Sequence, residues 1–167
     1  MPIYMGVFEK PNVLDKGFKG DVKTKGYEGW IELQSAQLGI TRNITTTTGR
    51  GSNREGAAPA VQDIVVTKLQ DSVSTALFRE ALNGTGKLMV IAFVKDDGTA
   101  YLKIVLQNTL ISSYSVSGHG GDNHAGPMES LSLTFTKVTY ETQPKSPDTT
   151  HSQMYQLSQQ PNWTSYP

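Results

Sequence analysis

Two strand-like stretches change which face they bury, and that limits the fold more than any motif. In Tyr27–Ile40, Ile31 and Leu33 are apolar while Glu32 and Gln34 are polar, but the apolar set then becomes Ala36, Leu38 and Ile40. Odd positions give way to even ones. A period-two strand can exchange faces only at a bulge or bend, here near Gln34-Ser35. Met128–Tyr140 repeats the pattern: Leu131, Leu133 and Phe135 share one face, then Val138 and Tyr140, so a second bend falls near Thr136-Lys137. Strands that turn corners belong to barrels and sandwiches.

The remaining segments fit that architecture. Ile3–Phe8 reads as a first strand, Asn12–Lys25 as a loop rich in Lys, Gly and Asp, and Ile64–Leu69 as another strand. Asp71-Ser72 offers a helix N-cap. Val73, Leu77 and Ala81 then form a helical stripe with Phe78 and Leu82 beside it, an apolar face to pack on a sheet. Asn83-Gly84 ends the helix, with Gly84 expected in the left-handed position. Leu88–Val94 is a buried strand, and Asp96-Asp97-Gly98 makes a tight hairpin. The return strand alternates at Leu102, Ile104 and Leu106. Asn108-Thr109 then leads into a further strand over Leu110–Ser117. After Glu141 the pattern stops and Pro, Gln, Ser and Thr dominate, although Met154, Tyr155, Leu157, Trp163 and Tyr166 could dock part of this segment. The expectation is a mainly β, antiparallel barrel or sandwich over residues 1–142 with one short flanking α-helix, followed by a tail over 143–167.

Composition excludes several function classes. The chain has 167 residues, 15 Lys+Arg against 15 Asp+Glu, and no Cys. Without Cys there is no disulfide framework, thiolate metal site or Cys nucleophile. A balanced charge argues against a dedicated nucleic-acid binder. No apolar run approaches the ~20 residues of a membrane span, and Met1–Gly6 lacks the basic and apolar regions of a Sec signal peptide. Charged residues make up 18% of the chain against 18 Thr and 14 Ser. Two readings of that low charge stand side by side: a surface that meets much other protein, or one that uses hydroxyls in place of charges.

Candidate chemistry is sparse. Gly84-Thr85-Gly86-Lys87 resembles the end of a phosphate loop, but it follows a helix and precedes a strand, the reverse of what phosphate binding at a helix N-terminus requires. His119, Asp122 and His124 lie together in a Gly-rich loop with no regular element to fix them as ligands. Ser117-Gly118-His119-Gly120 lacks the spacing of a nucleophile elbow. Asp96-Asp97 is explained by its turn, and Asn43, Asn83 and Asn162 open glycosylation-like triplets that a Thr-rich chain contains by chance. No catalytic residue, metal or cofactor is expected. The long stretch Thr45–Pro59 is too extended for a hairpin connection. It is either an arm that docks on a neighbour or a surface loop.

Larger pieces carry a resemblance. Tyr101–Asn108, Leu110–Gly121 and Pro127–Val138 are similar, in that order, to the haemolysin-coregulated protein (Hcp) family of type VI secretion. So are Gly29-Trp30-Ile31-Glu32-Leu33 with Gly39-Ile40-Thr41-Arg42, and Thr67-Lys68 followed by Asp71-Ser72 and the short helix. The similarity spans roughly residues 1–142. The loop Pro11–Lys25 is longer than in many members, and the tail after Gln143 matches no family motif.

The resemblance implies a small β-barrel with a helix on its side. It implies six copies in a ring, and rings stacked into the inner tube of a contractile machine. A sheath would surround the tube, a spike would cap it, and effectors would ride in its lumen. The protein would assemble in the cytoplasm and leave through the type VI machine rather than through Sec. The family's long loop reaches neighbouring subunits, which makes Thr45, Thr46, Thr47, Thr48, Arg50, Asn53, Arg54 and Glu55 candidate interface residues. From the pattern alone, Gln34, Ser35 and Gln37 flank the first bend as candidates for an exposed sheet face, either lumen or exterior. A ring uses a head-to-tail contact whose rotation closes, and stacking uses a second, weaker one, so rings are expected in solution and tubes in context or at high concentration. The alternatives are a phage-type tail tube protein, an Hcp-like enzyme or toxin, and a monomeric binding or chaperone module. A tail of about 25 residues is too short to fold as a catalytic domain.

Overall fold

The computed structural model describes residues 1–11, 13–44, 59–121, 126–142, 151–156 and 164–166. Its strands are β1 (Ile3–Lys10), β2 (Val13–Leu14), β3 (Ile31–Leu33), β4 (Ser35–Gln37), β5 (Ile40–Thr41), β6 (Ala60–Val61) and β7 (Ile64–Leu69), followed after the helix α1 (Ser74–Asn83) by β8 (Lys87–Val94), β9 (Ala100–Ser117), β10 (Met128–Thr134), β11 (Lys137–Thr142), β12 (His151–Gln156) and β13 (Thr164–Tyr166). Every strand pairing among them is antiparallel.

The pairings close on themselves. β1 pairs β8, β8 pairs β9, β9 pairs β10, β10 pairs β7 and β7 pairs β4. β4 continues β3 across Gln34, and β3 returns to β1. Both bends expected from the parity switches are present. At Gln34 the chain leaves its partner β1 for β7. At Phe135-Thr136 it passes from β10 to β11, which pairs the other half of β9. The interior holds one continuous apolar core in which Met5, Val7, Ile31, Ile64, Val66, Met89, Ile91, Leu106, Leu131 and Leu133 are buried.

Four local expectations need correction. The two strands expected either side of Asn108-Thr109 are one strand of 18 residues. Asn108 takes φ 51°, which bends β9 without ending it, and the buried positions pass from Ile104 and Leu106 to Thr109 and Ile111. Asn tolerates this left-handed conformation better than most residues. Second, Tyr27–Trp30 is not strand but turn, with Gly26 and Gly29 at positive φ. Residues 19–30 fold back over the outer face of β1. Tyr27 lies tilted against Tyr4 at 5.4 Å and edge-on to Trp30 at 5.1 Å, and Trp30 meets Phe8 edge-on at 5.6 Å. That aromatic cover buries the outer side of β1 as well as the inner one.

Third, Gly84 is not left-handed: its φ is −63° and ψ 146°. Glycine is needed there because a Cβ would collide with the Glu80 carbonyl oxygen. Fourth, α1 packs by Val73, Leu77 and the partly buried Ala76 and Ala81, while Phe78 and Leu82 are exposed. The N-cap is Val73, without a side-chain cap, rather than Asp71-Ser72; Asp71 Oδ1 instead accepts from the Val73 N–H at 3.0 Å in the turn that leads into the helix. Beyond Glu141, where the sequence pattern stops, the backbone continues the sheet. β12 pairs the open edge of β11 from Lys137↔Gln156 to Thr142↔His151, and β13 pairs β12.

Candidate assembly surface

Four strands, β4-β7-β10-β9, form one side of the barrel, and no other described element pairs across its outer face. Antiparallel register places side chains in rows across it. One row runs Ser35–Thr67–Ser130–Ser115, and the next runs Gln37–Val65–Ser132–Ser113. Ser35 Oγ and Thr67 Oγ1 share a hydrogen bond of 2.6 Å across the first of these strand pairs. A third row, Leu69–Met128–Ser117, completes the sheet toward the helix. None of these side chains ionises. At the rim, Asp63 Oδ2 accepts from the hydroxyls of Ser112 at 2.7 Å and Thr134 at 2.9 Å.

Directly beneath this face lies a buried ionic cluster. Lys68 and Glu129 occupy opposed inward positions on β7 and β10, and they are 0% and 2% exposed. Lys68 Nζ donates to Glu129 Oε2 at 2.9 Å, to Asp71 Oδ1 at 2.9 Å and to the Leu69 carbonyl at 2.7 Å. Glu129 also accepts from Ser74 Oγ at 3.0 Å and Tyr114 Oη at 2.7 Å. Burial by itself would raise the Glu129 pKa; the hydrogen bonds from Lys68, Tyr114 and Ser74 outweigh it and hold the carboxyl below its ordinary value. Burial, reinforced by the bond to Glu129, pushes the Tyr114 phenol up to about 12. The cluster fastens the start of α1 to two barrel strands. With its cation and carboxylates engaged with one another, it offers no unpaired nucleophile or base.

Beside it an open groove of about 530 Å³ runs between α1 and β9, walled by Phe78, Tyr114, Val116 and Pro127 over Ser74 and Glu129. Phe78 packs edge-on to Tyr114 at 5.7 Å, yet Phe78 and Val116 keep half their surface exposed.

Of the residues singled out from sequence, Gln34, Ser35 and Gln37 are exposed. Ser35 and Gln37 point onto the hydroxyl face, and Gln34 stands at the bend with its N–H on the Thr67 carbonyl at 2.7 Å. Thr45, Thr46, Thr47, Thr48, Arg50, Asn53, Arg54 and Glu55 lie outside the described residues, as do Asp122 and His124. The root of their segment is the two-stranded ribbon β5–β6, with Ile40 exposed on it and Ile44 exposed just beyond it. Sequence reasoning missed Lys68 and Glu129. The signal was there: each is a charge at a position whose strand neighbours, Ile64 and Val66 or Leu131 and Leu133, point inward.

A family model described as type VI secretion system effector, Hcp, matches residues 13–141. The chain belongs to the Hcp family. Solved structures agree on the fold. Hcp1 from Salmonella typhimurium superposes with TM-score 0.71 at 20% identity, covering 93% of this chain and 94% of that one. A protein described as a type six secretion system protein gives 0.79 at 21% over 93% and 95%. A type VI secretion system effector from Yersinia pestis gives 0.71 at 15% over 92% and 98%. No curated protein sequence matches the chain. The Hcp fold is therefore mostly antiparallel β with a flanking helix here too, as its sequence pattern predicts.

Proposed function

We propose that this Hcp protein is the repeating subunit of the type VI inner tube. Six copies close into a ring, rings stack head to tail, and the tube is expelled with effectors in its lumen. Its partners are itself, the sheath around the tube, the spike at its tip and the cargo within. Its role is mechanical rather than catalytic. The observation that carries this reading is the family match over residues 13–141, which spans every strand of the closed barrel except β1.

Thr45–Thr48, Arg50, Asn53, Arg54 and Glu55 form the arm that reaches the next copy, in keeping with the uncovered Ile40 and Ile44 at its root. Ser35, Gln37 and the neighbouring Gln34 face the lumen. Two features favour that side: the outer face of β1 is taken by the aromatic cover, whereas among the described residues no such cover lies on the β4-β7-β10-β9 face. The protein assembles in the cytoplasm and leaves through the type VI machine. Sedimentation and negative-stain imaging of the purified protein test the proposal. Six-fold rings with an open centre are expected; a compact monomer at micromolar concentration would refute it.

A further inference from the structure

β12 and β13 prolong the β1-β8-β9-β11 sheet by two strands, past the last residue of the family match at 141. The strands shorten on the way out: β9 has 18 residues, β11 and β12 have 6 each and β13 has 3. Pro161 precedes β13 and Pro167 follows it. An open edge presents unpaired N–H and C=O groups with which another chain can pair, and short final strands and prolines blunt it. β11 without its neighbour would be the opposite kind of edge. Its sequence Lys-Val-Thr-Tyr-Glu-Thr is rich in strand formers, and β9 holds it straight along its other side from Lys137 to Thr142. Val138 is buried, while Tyr140 stays 41% exposed. β12 covers this edge along its whole length. No Asp, Glu, Lys or Arg occurs from His151 to Pro167, so the hairpin brings backbone bonds and neutral side chains, rather than charges, to Lys137 and Glu141.

We propose that the β12–β13 hairpin is an edge guard: it fills, within one chain, the β11 edge that would otherwise pair with the β11 edge of a second copy. Antiparallel pairing of two identical edges is two-fold and self-complementary, so it closes a dimer and stops. A ring needs the other kind of contact, head to tail, which leaves each subunit a second surface for the next copy. By occupying the β11 edge, the hairpin removes the two-fold alternative and leaves the head-to-tail surfaces without that competitor. The new margin offers little in exchange, since β13 is half the length of β12 and is followed at once by proline. The inference goes beyond the tube reading and does not depend on it, because an unguarded edge associates whether or not rings form.

The chain has no Cys, so Thr139→Cys places a sole thiol near the middle of β11. A short bis-maleimide then reports two copies of that strand brought side by side. In the full chain, Met154→Pro opens the guard, because Met154 stands opposite Thr139 and proline cannot sustain the ladder there. The expected result is a cross-linked pair that rises with protein concentration and exceeds by more than ~10-fold that of the Thr139→Cys parent, in which several ladder hydrogen bonds must first open. It should stop at two copies, and Tyr140→Lys, which sets like charges across the two-fold contact, should abolish it. An opened variant that cross-links no more than its parent overturns the guard. So does a cross-link that extends beyond pairs or survives Tyr140→Lys, since the association then lies elsewhere. If Met154→Pro loses the cooperative melt of the barrel, a chain ending at Thr142 takes its place under the same criteria. Loss of the melt in both makes the hairpin part of the barrel's own fold and also overturns the proposal. Negative-stain imaging of the parent decides the tube reading separately.

Discussion

Replacing Lys68 by Met should be the most damaging single change in the barrel. The side chain is 0% exposed, and its Nζ holds Glu129, Asp71, the Leu69 carbonyl and, at 3.3 Å, Ser74 Oγ. Met fills the aliphatic volume but leaves Glu129, 2% exposed, with hydroxyl donors alone. Breaking a buried pair from one side costs ~3–5 kcal/mol, mainly through the stranded charge. Adding Glu129→Gln removes that charge and keeps an acceptor for Tyr114, so the double variant should recover at least about 1–2 kcal/mol of the loss. Acidity supplies an independent check. In the parent, Glu129 has a depressed pKa, so its contribution is present above the unfolded value of about 4.3 and is lost as pH falls through the lower folded value. In Lys68→Met, burial prevails and the carboxyl titrates above that value; the penalty is then absent in acid and grows as pH rises. The gap between parent and variant must therefore shrink as pH falls from neutral, first as the variant's carboxyl protonates and then, below about pH 4, as the parent's does. Urea midpoints at matched slope, across pH, measure it. A Lys68→Met cost under about 1 kcal/mol, or a double variant no better than the single, would refute the stranded-charge reasoning.

Tyr114→Phe removes one donor from Glu129 and is expected to cost about 1–2 kcal/mol in denaturant melts. The Tyr114 phenol, raised to about 12, contributes stability fully present below its unfolded value near 10 and lost as pH rises through the folded value; loss of that alkaline dependence in Tyr114→Phe would be seen by melts between those limits. Asn108 at φ 51° should accept Gly at little cost, while Asn108→Val should lower thermal stability by ~1–2 kcal/mol and loosen the β9 bend, read by amide exchange. The Lys87–Asp15 pair spans 2.9 Å at the foot of the β1–β3 connection, and the hydrogen bond from Lys87 depresses the Asp15 pKa. Asp15→Ala should cost under about 1 kcal/mol at neutral pH. That deficit should fade as pH drops through the depressed Asp15 value, since protonation then removes the same interaction from the parent.

Much of the fold was legible because its constraint is geometric. The exchange of Ile31 and Leu33 for Ala36 and Leu38 admits a bend and little else, and the bend at Gln34 carries the chain from β1 to β7. The β9 bend escaped notice because Asn108-Thr109 looks like a connection, although the step from Leu106 to Ile111 is itself a change of parity. The cover over β1 was illegible for another reason. Tyr4 and Phe8 are far in sequence from Tyr27 and Trp30, and nothing in the period-two pattern marks Gly26 and Gly29 as the turns that bring these rings together. The strand order of the tail has no apolar alternation behind it; backbone pairing to an open edge requires none.

The hydroxyl face marks where single-strand reading ends. Period two places Ser113, Ser115 and Ser117 on one side of β9, and Ser130 and Ser132 on one side of β10, without any structure. It cannot say that Ser130 stands opposite Ser115 on one strand and Thr67 on the other, with Ser35 beyond. Those alignments are set by the inward residues. Lys68 opposes Glu129, and slipping β10 by one position would break that ion pair and turn Leu131 and Leu133 outward. The buried pair therefore has a second consequence beyond anchoring α1. Each register that satisfies Lys68 also aligns the hydroxyl rows above it, so the neutral outer wall and the charged interior are two sides of one pairing. A Lys68→Met, Glu129→Leu replacement, apolar throughout, would tolerate slippage where the parent cannot. The prediction is that it loses the Ser35–Thr67 alignment, read by disulfide trapping of Ser35→Cys with Thr67→Cys, before it loses compactness.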